Sequence, residues 1–339
     1  MSQLKGRSRW LLIGLPLAVL AAALIAGIFF CPLMREDSRT PARTTLRLAW
    51  IPQGTFAGDY VALKSKLWEQ KGLVVDVRPG GFQFNAIKLV AAGEDTFGIA
   101  SGPELILARA QGVPVVVLAV IIPDSPVGWV AKKSSNITKP TDFIGRRVGA
   151  QYGTHTEVTF EALTQKLGIS LARIQRIPMQ FDYTPFVADS LDVAPVYIID
   201  QPVAFRSQGI VFDIIDPRAY GVNLGPGNVY FTSERVLREH PNWVKAFLEG
   251  ASEGWRQARA NPMAAASAIQ PYASGRDVGE LTSQVEAVFD FIKPSADYQG
   301  IFPPDRKFFQ QTISHFESTG VISNRSLVDG LFVAGERLK

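Results

Sequence analysis

A chain of 339 residues, 47% hydrophobic and 19% charged, can bury a large core and has room for two lobes. Its net charge of +4 is confined to residues 1–43, where Lys5, Arg7, Arg9, Arg35, Arg39 and Arg43 face only Glu36 and Asp37, so the body beyond is net neutral. A neutral body argues against a nucleic-acid partner, and a single cysteine, Cys31, excludes an internal disulfide and a thiolate metal cluster. His155, His240 and His315 are far apart with no ligand spacing, so no metal or other cofactor is expected.

Trp10 to Phe30 is an uncharged run of 21 residues. At about 1.5 Å per residue it is long enough to cross a hydrocarbon core of roughly 30 Å. The basic residues before it keep the N-terminus in the cytoplasm and put the body in the periplasm or outside the cell. Three fates are open. Residues 10–30 could remain as a single-pass membrane anchor, which is the reading adopted. They could be cleaved as a signal peptide after the small residues Ala21-Ala22-Ala23 or Ala26-Gly27, releasing the body to the periplasm. Lipidation at Cys31 is disfavoured by the large Phe30 before it. Residues 35–45 are polar and aperiodic and read as a spacer.

The body opens with an alternating strand, Thr45 to Ile51, halted by Pro52. A helix from Tyr60 to Gln70 is expected to end at Lys71-Gly72. Strand Leu73–Val77, helix Asn85–Ala92, strand Thr96–Ala100, helix Pro103–Gln111 and the apolar strand Val113–Ile122 follow. Strands alternating with short helices predict a mostly parallel sheet, with ligands gathering at the carboxyl ends of its strands. Those loops are 52–58, 79–84 and 101–103. A second unit carries strands Gly128–Lys132, Arg147–Ala150, Arg173–Pro178, Asp192–Ile198 and Ile210–Ile215, with helices opening at Gly153-Thr154, near Thr184 and at Gln201. The first turn after Gly153 offers backbone N–H groups to a polar or anionic ligand. The strand Val229–Thr232 and the helices Glu234–His240, Asn242–Asn261, Pro262–Tyr272, Asp277–Phe291, Arg306–Thr319 and Ser326–Glu336 complete the chain. This order divides it into an N-terminal segment 1–43, a first lobe built from 44–125 and 226–339, and a second lobe of 126–225.

Five phrases carry a family resemblance: LAWIPQGTFAGDYVALKSKLWEQKGLVVDVRPGG, LVAAGEDTFGIASGPELILARAQGVPVVVLAVI, KPTDFIGRRVGAQYGT, VAPVYIIDQPVAFRSQG and HPNWVKAFLEGASEGWRQARANP. In this order, over most of residues 45–265, they resemble the SsuA/THI5-like (NMT1/THI5-like) group of ABC-transporter substrate-binding proteins. The resemblance implies an α/β type 2 periplasmic-binding-protein fold, two lobes joined by two crossings with a ligand between them. It also implies a permease and an ATPase as partners, and a small solute such as a pyrimidine precursor of thiamine or a sulfonate. The chain is expected to act as a monomer.

Asp200 and Gln201 stand where relatives often carry an Asn-Glu pair, the Glu of which is a candidate for pairing with a ligand amine or ring nitrogen; the exchange shifts or removes that contact. Tyr197, Phe56, Phe82 and Tyr152 are candidates to stack on a flat ligand, against the alternative that they cover the lobe cores. Asn85 and Ser101 are candidate hydrogen-bonding residues or, alternatively, helix caps; Gly153 and Thr154 are the expected polar contacts from the second lobe. Ligand capture for import competes with a membrane-tethered sensory receptor, whose cytoplasmic stub of about nine residues is too short for a signalling domain. It also competes with an enzyme resembling pyrimidine-precursor synthases, whose cysteine cluster is missing. No catalytic motif is present.

Overall fold

The computed structural model describes residues 41–81, 83–294 and 298–332. Residues 10–30 lie outside them. Among the described residues no helix is long and apolar enough to cross a membrane.

Strand β1 (Ala42–Arg47) runs through a loop and a 3-10 turn, Gly54–Phe56, into α1 (Ala57–Lys64). The helix expected to reach Gln70 stops at Lys64. Lys66 turns into left-handed conformation, Leu67 N–H donates to Ala62 O, and the chain swings inward to bury Leu67 and Trp68. Trp68 stacks on Phe247 and donates Nε1–H to its carbonyl at 2.9 Å. Burial of this indole outweighs continuation of the helix. Then come β2 (Leu73–Arg78), α2 (Ala86–Ala92), β3 (Phe97–Ala100), α3 (Gly102–Ala110) and β4 (Val115–Ile122), the last buried at every position.

Across residues 123–126 the chain enters a second sheet. It contains β5 (Val127–Lys132), β6 (Arg147–Ala150), α4 (His155–Lys166), β7 (Gln175–Pro178), α5 (Thr184–Val187), β8 (Val193–Tyr197), α6 (Gln201–Ser207) and β9 (Phe212–Ile215). Residues 216–227 return to the first sheet as β10 (Asn228–Ser233), followed by α7 (Glu234–Glu239), α8 (Pro241–Ala260), α9 (Pro262–Ile269), α10 (Val278–Ile292), α11 (Gln310–Ser318) and α12 (Arg325–Asp329).

The two five-stranded sheets are ordered β2-β1-β3-β10-β4 and β7-β6-β8-β5-β9. They are mixed, not mostly parallel as the strand–helix alternation suggests. β1 lies parallel to β2 and β3, but β10 is antiparallel to both β3 and β4; β5 is likewise antiparallel to β8 and β9. The reversal follows from the crossings. β5 and β10 each enter their sheet from the cleft side, where the other strands end.

Helix α8 packs the first lobe with a stripe at helical spacing: Val244, Phe247, Ala251, Trp255 and Ala258. It approaches α1 closely enough that a Cβ at Gly254 would stand 2.2 Å from Gly58 O, and one at Gly58 2.2 Å from the Trp255 ring. Within this contact Trp255 Nε1–H donates to Tyr230 Oη at 2.9 Å, and Tyr230 donates to Asp59.

Polar contacts join the lobes both at the crossings and away from them. Asn223 ties one crossing to the other, its Nδ2 donating to Asp124 at 2.7 Å and its Oδ1 accepting from Ser125 N–H at 2.8 Å. Away from the crossings, the Asp200 carboxylate of the second lobe meets the first lobe. Oδ1 accepts from Arg276 at 3.1 Å and from Gln284 at 2.6 Å, while Gln284 Oε1 accepts from Gly54 N–H at 3.1 Å. Gln284 is the one polar residue in the buried stripe of α10.

Two predictions follow from these buried carboxylates. Burial pushes Asp59 up to about 7, against the lowering effect of the Tyr230 hydrogen bond. Between the usual carboxylate range and pH 7 the unfolded chain gives up this proton and the folded chain keeps it. The stability that the neutral form contributes is therefore full below about pH 4 and lost as pH rises to about 7, on the order of 4 kcal/mol in all. Asp59→Asn is expected to flatten this fall in urea unfolding between pH 4.5 and 8; an unchanged slope would refute the assignment. For Asp200, burial is the largest influence and raises the carboxyl, while Arg276 opposes it. Arg276→Met leaves that charge without its cation. Because Arg276 is 22% exposed, the expected loss at pH 7 is about 2–3 kcal/mol, below the full figure for a buried pair. Adding Asp200→Asn should recover about half of it or more, and strict additivity of the two changes would show that the groups are not coupled.

Candidate ligand-binding site

The carboxyl ends of both sheets face one cleft with a cavity volume of about 260 Å³. From the first lobe come the loop after β1 with Trp50, Gln53 and Phe56, the start of α2, the β3–α3 junction and Asn228 at the head of β10. From the second come residues 151–156 before and within α4, Phe181, and Tyr197, Asp200 and Gln201 after β8. Trp50 and Phe181 meet across the lobes with ring centroids 4.1 Å apart. Both also line a second cavity of about 470 Å³, as do Asp200 and Gln201.

Of the residues singled out in the sequence, Phe56, Asn85, Ser101, Tyr152, Gly153, Thr154, Tyr197, Asp200 and Gln201 line the cleft, while Phe82 lies outside the described residues. Their local roles differ. Asn85 caps α2, its Oδ1 accepting from Lys88 N–H at 3.0 Å. Ser101 caps α3 in a reciprocal box with Glu104, its hydroxyl donating to Glu104 Oε2 at 2.6 Å. Gly153 N–H donates to Glu157 at 2.7 Å, so the amide expected to meet a polar ligand group at the start of α4 is held by the helix's own carboxylate. Thr154 occupies the N-cap position but donates its hydroxyl to Gln151 O at 2.7 Å. Tyr152, 51% exposed, lies under Arg176 at the rim.

The Asp-Gln pair faces inward. Gln201 Nε2 donates to Asp200 Oδ2 at 2.6 Å and its Oε1 accepts from Tyr197 N–H at 2.7 Å. With Arg276 and Gln284 on the other oxygen, both Asp200 oxygens are engaged within the protein. Gln201, at the second position of the pair, is likewise turned onto Asp200 and Tyr197 within its own lobe. Burial also holds the Tyr197 phenol well above its usual range, so it stays neutral.

Sequence reasoning missed Trp50, Gln53, Gln151, His155, Phe181 and Asn228, all on the cleft wall. Trp50 was hidden because β1 was read as running to Ile51, whereas its ladder ends at Arg47. Gln53 lies in the loop flagged as ligand-gathering. His155 was weighed only as a metal ligand. Its Nε2 instead lies 3.1 Å from Ser125 Oγ and 2.7 Å from Leu224 O, one partner on each crossing. No cluster of His, Cys, Asp and Glu able to hold a metal occurs among the described residues.

Comparison with known proteins agrees with this architecture. The riboflavin-binding protein RibY of Chloroflexus aurantiacus is 27% identical over 84% of this chain and 83% of its own. The formylaminopyrimidine-binding protein of Halalkalibacterium halodurans is 24% identical over 76% of each. The crystal structure of the periplasmic aliphatic sulphonate-binding protein SsuA of Escherichia coli superposes with a TM-score of 0.69 at 15% identity, covering 86% of this chain and 92% of that one. It shares the two-lobed periplasmic-binding-protein fold. The NMT1/THI5-like family profile matches residues 53–265, and the chain therefore belongs to the NMT1/THI5-like family.

Proposed function

We propose that the protein is the extracytoplasmic solute-binding component of an ABC importer, and that it captures a small, flat, pyrimidine-like organic molecule by closing its two lobes around it. The observation that carries this reading is the cleft itself, walled by both lobes and lined by Trp50, Phe181 and Tyr197. Aromatic faces suit a planar ring, and a contact surface split between lobes couples occupancy to closure. The relatives named for riboflavin and formylaminopyrimidine support the choice of a heteroaromatic solute. A permease and ATPase would recognise the closed form. The site residues in this reading are Phe56, Phe82, Asn85, Ser101, Tyr152, Gly153, Thr154, Tyr197, Asp200 and Gln201, joined by Trp50 and Phe181. Residues 10–30 would tether the body to the membrane, and the described body would bind as a monomer of two lobes, 44–125 with 226–339 and 126–225.

Thermal unfolding in the presence of candidate solutes tests the receptor role. Formylaminopyrimidine at about a hundred times its dissociation constant is expected to add ~2.7 kcal/mol and to raise Tm on the order of 5 °C. Absence of any shift with formylaminopyrimidine, riboflavin, alkanesulfonates and amino acids alike would sink it. The tether is tested separately by the intact mass of protein extracted from membranes. The full 339-residue mass is expected, and a species lacking the first 23–31 residues would overturn the anchor.

A further inference from the structure

The β3–α3 junction carries a carboxylate that the protein's own contacts only half use. Glu104 lines the cleft from the first lobe and is partly exposed. Its Oε2 completes the cap of α3, accepting from Ser101 N–H at 3.1 Å and from the Ser101 hydroxyl at 2.6 Å. Among the described residues its Oε1 takes part in no hydrogen bond, and Glu104 forms no ion pair. Nor is Oε1 one of the buried polar atoms cut off from solvent without a partner, so it keeps accessible surface on the cavity that Glu104 lines.

Two neighbours are open in the same way. β10 runs antiparallel to β3 with Val229 opposite Ala100, and Gly102 N–H donates to Pro226 O at 2.8 Å, so Asn228 lies beside the start of α3. Asn228 is 5% exposed, lines the cleft, and makes no side-chain hydrogen bond among the described residues. Tyr197 lines the cleft from the second lobe, and its hydroxyl is likewise without a hydrogen bond among them. Neither group belongs to the buried unpartnered atoms, so both are reached from the cleft. After burial, the Glu104 charge is the influence that lifts the Tyr197 phenol above its usual range, which puts the two groups within electrostatic reach of each other.

The other charges near the cleft are matched. Asp200 pairs with Arg276 at 3.1 Å, and Arg276 also reaches Glu280 at 3.4 Å. Arg176, over the Tyr152 ring at the rim, pairs with Glu157 at 2.7 Å. Burial lowers His155 to about 4, which keeps its imidazole neutral. Glu104 is left as the carboxylate of the cleft wall with no cation among the described residues. A hydrogen bond from a nitrogen donor to such a group is charge-assisted and roughly twice as strong as a neutral one.

We infer that Glu104 is the residue that selects the solute: its Oε1 receives an N–H group of an amine or a nitrogen heterocycle, with Asn228 beside it and the Tyr197 hydroxyl meeting the same polar edge from the second lobe. This inference rests on the receptor reading above and names the chemical class of its solute, a compound bearing a nitrogen donor. It places the nitrogen contact on α3 of the first lobe and away from the 200–201 pair, whose polar atoms are engaged within the protein. A site built around such a bond discriminates against the analogue that lacks the donor, because the carboxylate then loses water and gains no partner.

Calorimetric titration of the full chain in detergent micelles tests it with matched pairs of probes: formylaminopyrimidine and its analogue lacking the ring amino group, riboflavin and N3-methylriboflavin, taurine and ethanesulfonate. The members of a pair differ by one nitrogen donor. In a pair that binds, the donor-bearing member is expected to bind the parent protein at least about tenfold more tightly than its mate. Glu104→Gln keeps an oxygen for the Ser101 cap and removes the charge. It is expected to weaken the donor-bearing member about tenfold or more and its mate by no more than about twofold, with the unliganded Tm serving as the check on folding. A damaged cap without a ligand contact would instead weaken both members alike. A mate that binds the parent protein as tightly as the donor-bearing member, or a folded variant that loses both in parallel or neither, would overturn the inference while leaving the receptor reading intact; the first of these outcomes needs no variant. Failure of every probe to bind the parent protein would overturn both.

Discussion

The chain passes between its two sheets twice, at residues 123–126 and 216–227, and both passages lie at the end where the parallel strands terminate. This constraint orders much of the molecule. A strand entering a sheet from the cleft side must run against its neighbours, so β5 and β10 are antiparallel within otherwise parallel sets. The loops that follow β1, β3 and β8 are brought to the same end, and the cleft lies between them. His155 is the point where the constraint meets the candidate site. It opens α4, lines the cleft, and contacts Ser125 on one crossing and Leu224 on the other. An imidazole fixed in this way links the geometry of the crossings to the wall of the pocket.

Two buried aspartates show how the fold handles charge at low dielectric. Asp59 lies in the core of one lobe and accepts a hydrogen bond from Tyr230, which in turn accepts from Trp255. Desolvation dominates and the carboxyl holds its proton to about pH 7. Asp200 lies between lobes, where Arg276, Gln284 and Gln53 reach it from the first lobe and Gln201 from its own. Its partners come from both sides, so its stability as a carboxylate depends on the lobes staying together. One aspartate therefore acts within a lobe and the other between lobes, although the side chains are identical.

Much of this was legible in the sequence because it depends on local pattern. Gly72 and Gly93 take the left-handed conformation their position after a helix requires, and Arg147–Ala150 and Gln201–Ser207 form the elements their residues suggest. The family phrases carried the two-lobed fold. What stayed illegible depends on contacts distant in sequence. The Asp200–Gln284 bond spans 84 residues, and nothing local marks Gln284 beyond its being polar in an otherwise apolar stripe of α10. Glu157 takes the Gly153 amide because a side chain one turn into α4 can fold back on the turn before it, a choice that a Gly-Thr-His-Thr string does not reveal. The end of β1 at Arg47 is set by the partner strand β2, whose ladder ends at Arg78, and so Trp50 could not be placed on the cleft from its own neighbours.

Lobe closure requires that a ligand favour the closed arrangement over the open one, and only contacts that differ between the two can do this. Atoms on one lobe alone bind equally in both. The protein already supplies bridging contacts of its own, Asp200 with Arg276 and Gln284, and Trp50 against Phe181. In the proposed receptor these contacts would favour the closed arrangement whatever it encloses. Specificity must then reside in groups that remain unmatched after the protein has closed on itself. A ligand that touched one lobe alone would gain little from closure, whereas one matched to both walls would convert its complementarity directly into preference for the closed state.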